Sequence, residues 1–385
     1  MLLQSIVSQI NPSWRIEEIA WAQTSYRRPR KAGCNARLGV HGWGGEVPLA
    51  RVRINGTYGF GWCTLSREQA GRFTGMPVRA LFDENGLLRK PYRGLEFPLL
   101  DWLGQFAQKP VYQLVSDEER AEPFCVPVYD TTIYFDELDI SDNAEAVDFI
   151  CQEVAQGLNA GHRNFKVKIG RPGMWMGLQE GLKRDIDIIL AIREKIGPEG
   201  KLMVDANNGY NLNLAKEFLS ATRSTQLYWL EEAFHEDDML YRNLKDWMAQ
   251  QGICTKIADG EGLASSAIED WAKKGLIDVL QYDLRGYGFF SWLELAKELQ
   301  PFGVLCAPHN YGGYYGNFAQ AHFAAGIGNF AFAEWDQAQA EGVDASAYAI
   351  DNGMILVPQL PGFGLTLDNE QFDALVQRNG WRSAQ

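Results

Sequence analysis

The sequence lacks the composition that several classes of protein need. Its 36 Lys and Arg residues are outnumbered by 49 Asp and Glu residues, which gives the 385-residue chain a formal net charge of −13. Binding to a nucleic-acid backbone needs clustered cations, so this charge argues against a nucleic-acid partner but not against a small anionic substrate. No apolar run approaches the roughly 20 residues that cross a bilayer, so no membrane partner is expected.

Cysteine is scarce as well, and its six positions (34, 63, 125, 151, 254 and 306) show no CxxC or similar spacing. We therefore expect reduced, mostly buried thiols in a cytoplasmic protein. The first residues, MLLQSIVSQINPSW, have neither a basic segment nor a long apolar core, so no signal peptide is predicted.

What the sequence contains changes character along the chain. Residues 1–124 read as short strands and turns followed by helical stretches, which predicts an α+β domain. Two Gly-rich stretches in this region, residues 25–46 and 56–63, are predicted to be loops that either connect elements or cover an anionic substrate. Residues 351–385 combine turn chemistry with a short helical end.

Residues 125–350 alternate between apolar, strand-like runs and helical segments. The runs are CVPVYD, FKVKIG, KLMVDAN, YWLEEAF, KIADGE, DVLQYDL, GVLCAPHN and FAFAEW. This alternation predicts an α/β fold in which eight parallel strands close into a barrel. From Asp205 to Glu334, the ionisable residues at the ends of successive runs are 22 to 30 positions apart. Because a barrel brings the C-terminal ends of its strands to one mouth, these residues are predicted to meet in an active site.

Carboxylates end three successive runs at Asp205, Glu231 and Glu261. Three facing carboxylates repel one another unless a cation neutralises them, and all-oxygen ligation suits a hard ion such as Mg²⁺. The sequence leaves two points open. Glu232 adjoins Glu231, and only one of the two can point into the mouth. Asp259 could assist or replace Glu261.

Basic side chains flank this predicted metal site. Lys166 and Lys168 are two apart on one strand and share a face. There, Lys166 would contact a substrate carboxylate or metal ligand and depress the pKa of Lys168, which could then accept a proton. On the other side, Asp283 would orient His309 as a second acid or base. Asn207 is expected to reach the same face as a hydrogen-bond partner in the substrate site.

Together these residues resemble the enolase superfamily, in its mandelate racemase/muconate lactonizing enzyme-like branch. The resemblance covers residues 125–335 and is carried by the KxK of FKVKIG, VDAN, the EE of WLEEAF, the GE of IADGEG, the Asp of VLQYD, the His of APHN and the Glu of FAEW. Ala233 stands where proline usually follows the Glu pair, which is expected to affect the shape of the loop. The match is weaker near the N-terminus, where the candidate lid contacts are Tyr26, Arg27, Arg28 and Arg30.

The resemblance implies a fold and a set of roles. Residues 125–350 would form a modified (β/α)7β TIM barrel under an α+β capping domain of residues 1–124, with residues 351–385 packing back on the cap. The implied Mg²⁺ ligands are Asp205, Glu231 and Glu261. The implied acid–base groups are Lys168 on one face and the His309–Asp283 pair on the other. Glu334 would hydrogen-bond the substrate carboxylate. Barrels of this family are often oligomeric, which implies a homo-oligomer.

These groups suit Mg²⁺-dependent removal of the α-proton of a carboxylate substrate through an enediolate. If the substrate carries a β-hydroxyl, His309 can expel it as water, which leads to a 2-keto-3-deoxy acid. Return of the proton on the opposite face would instead racemise or epimerise a hydroxy acid or amino-acid derivative. Dehydration of a sugar acid is favoured by the basic, Gly-rich stretches and by the polar residues after His309, which are Asn310, Tyr311, Tyr314 and Tyr315.

Two other classes of function fit the sequence less well. A Schiff-base aldolase would use Lys166 or Lys168 as a nucleophile but would not need three carboxylates. A barrel that only binds metal or serves as a scaffold is disfavoured, because no catalytic position is lost.

Overall fold

The computed structural model describes residues 2–117, 123–262, 264–310 and 312–384. The first part of the chain is built on an antiparallel sheet. Its elements are α1 (Leu2–Gln9), β1 (Glu18–Ala32), β2 (Gly42–Ile54), β3 (Thr57–Trp62), α2 (Arg67–Phe73), α3 (Glu96–Ala107) and α4 (Val111–Val115). β1 pairs with β2, and β2 pairs with β3. Helix α3 packs so closely on β3 that a Cβ added at Gly59 would lie only 2.3 Å from the backbone nitrogen of Trp102.

Eight parallel strands follow, connected by helices. The strands are β4 (Cys125–Ile133), β5 (Phe165–Lys168), β6 (Leu202–Asp205), β7 (Trp229–Glu231), β8 (Lys256–Asp259), β9 (Val279–Leu280), β10 (Leu305–Cys306) and β11 (Ala333–Trp335). The helices are α5 (Asn143–Asn159), α6 (Leu178–Ile196), α7 (Leu212–Ala221), α8 (Asp238–Gln251), α9 (Ile268–Lys273), α10 (Leu284–Tyr287), α11 (Phe289–Leu299) and α12 (Tyr314–Phe323). Short 3-10 turns occupy Val78–Leu81, Lys90–Leu95, Arg171–Gly173, Arg223–Thr225, Gln300–Phe302 and Ala324–Gly326.

The parallel strands form a closed ring of pairs. They pair in chain order from β4 to β10, and β11 pairs with β4. A parallel bridge between Cys306 and Phe330 joins β10 to the residues that precede β11. An apolar cluster packs among these strands: Tyr129, Met203, Trp229, Ala258, Val279, Ala307, Ala331 and Phe332. The α/β fold class predicted from the alternation is confirmed, and the pairing order is that of a parallel barrel.

Local sequence signals set the ends of several barrel helices. The side chain of Asp142 accepts hydrogen bonds from the first backbone N–H groups of α5. Asn211 and Asp237 cap α7 and α8 in the same way. Gly197, with a φ of 71°, ends α6. These signals fix where the connecting helices begin and end, whereas pairing in register keeps strand-end residues such as Asp205 and Glu231 close to one another.

The stretches predicted to be loops are mostly strand, so that prediction is wrong. Residues 25–32 continue β1, residues 42–46 begin β2, and residues 57–62 form β3. Tyr26 pairs with Gly45, and alternation along β1 buries Tyr26 and leaves Arg27 exposed. Cationic and Gly-rich stretches have low intrinsic strand propensity, but pairing across the hairpin overrides it.

The last part of the chain returns to both regions. Its elements are β12 (Gln339–Ala340), β13 (Val343–Asp344), β14 (Ala349–Asp351), β15 (Met354–Leu356), β16 (Thr366–Leu367), α13 (Asn369–Asn379) and β17 (Trp381–Ala384). β12 and β17 both pair with β1, whereas β15 pairs with the first residues of β4. The domain limits at residues 124 and 350 stay a prediction.

Two observations bear on the cellular setting. In the described ranges of the chain, no helix is both long and apolar enough to span a bilayer. All six cysteines are free thiols, and those at positions 34, 63, 151 and 306 are buried. Mostly buried, unpaired thiols are what the cysteine spacing predicts, and the cytoplasmic localisation stays a prediction.

Candidate active site

Three carboxylates meet at the mouth of the barrel. Asp205 and Glu231 end the paired strands β6 and β7, and Glu261 lies two residues after β8. One oxygen from each lies within 4.8 Å of the others, the only such group of metal-ligating side chains among the described residues. Oxygen donors at this spacing fit a hard divalent cation such as Mg²⁺.

Lys166 contacts this group from β5. Its Nζ lies 2.6 Å from Glu231, 3.1 Å from Glu334 and 3.5 Å from Asp205. Burial lowers the pKa of Lys166, but the surrounding carboxylates raise it well above its ordinary value. The ammonium group of Lys166 is therefore held in its charged form by the carboxylates of Glu231, Glu334 and Asp205.

Glu334, in β11, is held by two hydrogen bonds in addition to its ion pair with Lys166. It accepts hydrogen bonds from the Thr131 hydroxyl at 2.6 Å and from the Asn310 backbone N–H at 2.5 Å. Burial raises the pKa of Glu334, but Lys166 and His309 lower it to about 2. An ionised carboxylate only accepts hydrogen bonds, so the predicted hydrogen bond to a substrate carboxylate needs a proton on Glu334.

Lys168 points to the same side of β5 as Lys166, as the two-residue spacing predicts. Its ammonium group donates a hydrogen bond to Asp205 and lies 5.6 Å from the centre of the Tyr134 ring. The expected depression of the pKa of Lys168 is not found. Burial lowers this pKa, but the Asp205 carboxylate raises it more than Lys166 lowers it, so the pKa lies above its ordinary value. The opposite charge wins because it is in direct contact.

His309 approaches the carboxylates from β10. Its Nδ1 lies 2.6 Å from Asp283, and its Nε2 lies 3.0 Å from Glu261. A parallel backbone bridge joins Asp283 to His309 beyond the ends of β9 and β10, which fixes the pair side by side. Burial lowers the pKa of His309, but Glu261 and Glu334 raise it well above its ordinary value. The structure thus brings together the His–Asp pair that the sequence predicts.

Glu232 and Asp259, the two acids whose role the sequence leaves open, lie outside the carboxylate group. Glu232 adopts a left-handed φ of 42° and accepts a hydrogen bond from Asn207 at 2.9 Å. Asp259 accepts a hydrogen bond from the Tyr241 hydroxyl. Neither carboxylate joins the cluster, whereas Glu261 does.

The two asparagines predicted to bind substrate are engaged with protein groups. The Asn207 amide donates to Glu232 at 2.9 Å and to Glu261 at 3.2 Å. The Asn310 amide donates to Asn317 in α12 at 2.8 Å. Asn207 therefore orients a candidate metal ligand, and contact of either asparagine with substrate stays a prediction.

Of the tyrosines that follow His309, the two that the structure describes do not form a polar surface at the mouth. Tyr311 lies outside the described residues. Tyr314 and Tyr315 are buried in α12, and the Tyr315 hydroxyl donates to the Phe60 carbonyl at 3.2 Å. Their burial weakens the argument that these side chains suit a polyhydroxylated anion.

The N-terminal sheet meets the barrel through β1. Arg28 binds Asp336 with both prongs of its guanidinium, at 2.9 Å from Nε to Oδ1 and 2.7 Å from Nη2 to Oδ2. The Tyr26 hydroxyl lies 3.4 Å from Nη2 of Arg28. Arg30 donates to the backbone carbonyl and the hydroxyl of Thr132, each at 2.6 Å. These arginines tie the sheet to the barrel, and substrate contacts of Tyr26 and Arg28 stay a prediction.

Several residues of the site are not among those predicted from the sequence. Gln281 and Trp229 donate to the same oxygen of Glu231, at 2.9 Å and 3.0 Å. Arg285 is the second residue of α10 and reaches the N-terminal sheet. Gln281 stands two positions before Asp283 in the same strand-like run, so the same-face spacing that identified the lysines was an available signal for Gln281. Arg285 lies in a helix, where that spacing gives no signal.

A comparison with protein families identifies this arrangement. The profile of the family described as "Enolase C-terminal domain-like" matches residues 150–371, more than half of the chain. The chain belongs to this family. The resemblance to the enolase superfamily, in its mandelate racemase/muconate lactonizing enzyme-like branch, is thereby confirmed.

Similar proteins cover most or all of the chain. A galacturonate dehydratase from Geobacillus sp., in complex with D-galacturonate and 5-keto-4-deoxy-D-galacturonate, is 48% identical over 97% of this chain and 100% of its own, with a TM-score of 0.94. A mandelate racemase/muconate lactonizing protein from Geobacillus sp., in complex with magnesium/tartrate, is 47% identical over 98% of this chain and 99% of its own, with a TM-score of 0.97. An arabinonate dehydratase from Saccharolobus solfataricus is 27% identical over 304 residues, which are 76% of this chain and 74% of its own.

Proposed function

We propose that this enzyme is a Mg²⁺-dependent hydro-lyase that dehydrates a sugar acid, with D-galacturonate as its substrate. The observation that carries the proposal is the grouping of Asp205, Glu231 and Glu261 beside two lysines and the His309–Asp283 pair. D-Galacturonate is proposed as the substrate because it is bound to a galacturonate dehydratase that is 48% identical to this chain over 97% of the chain's length.

The compounds bound to that relative agree with the chemistry of this site. In D-galacturonate the carboxylate is carbon 6, so the α- and β-carbons are carbons 5 and 4. Loss of the α-proton and the β-hydroxyl leaves an enol, whose tautomerisation gives a ketone at carbon 5 and a methylene at carbon 4. That is 5-keto-4-deoxy-D-galacturonate. Counted from the carboxylate, it is the 2-keto-3-deoxy acid expected from the sequence.

Asp205, Glu231 and Glu261 would hold the metal, because their oxygens are already gathered within 4.8 Å. Bound Mg²⁺ supplies positive charge at the substrate carboxylate, where the second negative charge of the enediolate develops. Lys166, whose Nζ lies 2.6 Å from Glu231, places an ammonium group beside the same substrate oxygens. The carboxylate end of the substrate therefore lies at the floor of the mouth.

Lys168 and His309 divide the proton transfers. With Asp205 neutralised as a metal ligand, the carboxylate that raises the pKa of Lys168 would no longer hold this side chain in its charged form. Lys168 as a neutral amine then takes the α-proton, and the electrons of the broken C–H bond pass into the carboxylate. His309 gives its Nε2 proton to the β-hydroxyl, which leaves as water as the C–O bond breaks. Asp283, 2.6 Å from Nδ1, keeps the imidazole oriented with Nε2 toward the substrate. Before the next turnover, Lys168 must give up the proton that it has taken, and His309 must regain the proton that it has given.

The test is a panel of uronic, aldonic and aldaric acids incubated with the enzyme and Mg²⁺ in D₂O. NMR would follow both exchange of the α-proton and appearance of the keto acid. We expect D-galacturonate to yield the 5-keto-4-deoxy product. Exchange of the α-proton with a change in optical rotation, but no keto acid, would instead identify an epimerase. Absence of reaction with every acid would refute the proposal. The homo-oligomeric state stays a prediction, to be measured by light scattering.

A further inference from the structure

Arg285 lies where the barrel meets the N-terminal sheet. It stands two residues after Asp283, in α10. Its guanidinium carbon lies 5.7 Å from the centre of the Trp62 ring, at the end of β3. A Cβ added at Gly313 would also lie only 2.4 Å from that carbon. The charged head is therefore close both to an aromatic ring of the sheet and to the backbone that leads into α12.

The surroundings of Arg285 belong to the candidate site. Burial lowers the pKa of this guanidinium, while Asp283, Tyr26, Asp336 and Glu334 are near enough to raise it. Two of these residues, Asp283 and Glu334, contact or approach His309. An arginine stays charged at any physiological pH and offers five N–H donors with no acceptor. A fixed cluster of donors is thus placed next to the proposed proton donor.

The proposed function also indicates in which direction the substrate carbons beyond the β-carbon extend. The carboxylate lies beside Lys166, and the α- and β-carbons lie between Lys168 and His309. A six-carbon acid has three further carbons, and each of them carries an oxygen. Because Lys166 and the metal ligands hold the carboxylate at the floor of the mouth, these carbons extend away from the floor, toward the N-terminal sheet that Arg285 also reaches.

We propose that Arg285 is a specificity-determining residue that donates hydrogen bonds to the oxygens of the sugar acid beyond its β-carbon. The inference rests on the proposed function, because it assumes where the reacting carbons lie. A planar guanidinium fork can bind two neighbouring oxygens at once. Trp62 and Gly313 keep the fork in place, so the residue selects acids that carry acceptors at those positions and disfavours acids that lack them.

The experiment compares Arg285→Met and Arg285→Lys with the wild type on two substrates. D-Galacturonate carries the distal oxygens, whereas L-glycerate, which has the same configuration at the α-carbon, keeps the carboxylate, the α-proton and the α- and β-hydroxyls but has no further carbons. We expect Arg285→Met to lower kcat/KM for D-galacturonate by about 10- to 100-fold, the range for losing hydrogen bonds from a charged donor. The rate of α-proton exchange in L-glycerate should stay within about twofold of the wild type. Arg285→Lys should fall between the two, because one ammonium cannot reproduce the fork.

Arg72→Met is the matched control, since Arg72 lies on the exposed surface of α2 and, within the described residues, pairs only with Glu68 in the same helix. Equal losses on both substrates would overturn the inference, because they would mean that Arg285 acts through His309–Asp283 or through folding. Unchanged kinetics on both substrates would overturn it as well.

Calorimetric titration of each acid in the presence of Mg²⁺ separates this inference from the proposed function. If the wild type binds D-galacturonate without turning it over, the dehydratase proposal fails. A weaker Kd of Arg285→Met for D-galacturonate alone would then still support the role of Arg285. If the wild type binds no acid of the panel, both proposals fall.

Discussion

The two walls of the candidate site are built in different ways. On the barrel wall, functional groups end or follow parallel strands, and neighbours such as Lys168 and Asp205 are paired residues of adjacent strands. On the wall formed by the N-terminal sheet, Arg28 meets Asp336 across 308 positions of sequence. The barrel wall is the product of one repeated unit, whereas the second wall depends on contacts between distant parts of the chain.

This difference suggests a division of labour. The barrel wall concentrates groups that hold a metal and move protons, and their positions follow from the strands that carry them. The second wall offers Arg28, which is bound by Asp336, and Trp62, which lies beside Arg285 of the barrel. We therefore expect substitutions on the barrel wall to abolish chemistry. Substitutions on the second wall should change stability or the choice of substrate.

Removal of the metal should have the largest effect, because it disables the barrel wall as a whole. Without a divalent cation, nothing beside the substrate carboxylate offsets the second charge of the enediolate except Lys166. We expect EDTA to abolish keto-acid formation and Mg²⁺ to restore it. Glu231→Gln should weaken Mg²⁺ binding in a calorimetric titration. Full turnover by a preparation shown to be metal-free would contradict the site.

Loss of the proposed acid should come next. We expect His309→Asn to lower kcat for dehydration by about 10²- to 10⁴-fold, the usual contribution of general acid–base catalysis. Lys168 remains in this variant, so NMR in D₂O should still detect exchange of the α-proton. Lys168→Ala is the matched variant and should lose exchange. The opposite pattern, with exchange lost in His309→Asn and kept in Lys168→Ala, would make His309 the abstracting base.

How far the sequence could predict each wall follows from the same contrast. The strand-end spacing predicts the positions of Asp205, Glu231 and His309, because one structural unit repeats. It could not decide whether Glu232 or Asp259 joins them. That choice depends on a left-handed backbone at one residue and on a tyrosine partner at the other.

On the second wall, no periodic signal marks the partners. The ion pair of Arg28 with Asp336 joins residues that only the folded chain brings together. The adjoining ends of β1 and β2, residues 25–32 and 42–46, are also predicted to be loop, because their cations and glycines are poor strand formers when considered alone. Local composition therefore misled the prediction wherever a long-range partner determines the conformation.

Breaking the ion pair tests whether the second wall is structural. Arg28→Met would leave the buried Asp336 carboxylate without its cation, which should lower the free energy of unfolding by about 3–5 kcal/mol. Urea denaturation would measure the loss. Arg28→Met combined with Asp336→Asn should recover part of it, because no buried charge then remains. Unchanged stability with a raised KM would show that Arg28 binds substrate instead.

The smallest effect is expected at Asp101, in α3, which joins the N-terminal sheet to the end of the chain. Its carboxylate accepts hydrogen bonds from the Phe60 N–H at 3.0 Å and the Phe363 N–H at 2.9 Å. Asp101→Asn keeps the shape but presents an amide donor to one of these donors. We expect a loss of about 1–3 kcal/mol in the free energy of unfolding, because one buried N–H loses its partner.

The pH dependence of that loss distinguishes a buried acid from an ordinary one. Burial raises the pKa of Asp101 from 3.8 to about 7 in the folded protein. Between these values the folded state holds a proton that the unfolded state releases, so wild-type stability falls as the pH rises toward 7.

The asparagine variant has no such proton. The stability advantage of the wild type should therefore be larger at pH 5 than at pH 8, by at most about 1.4 kcal/mol per pH unit below pH 7. Urea unfolding at both pH values measures it. Glu96, a second buried acid with its pKa raised to about 7, is common to both proteins and cancels from the difference. An advantage that does not vary with pH would mean that Asp101 is ionised throughout, with its two N–H donors offsetting the burial.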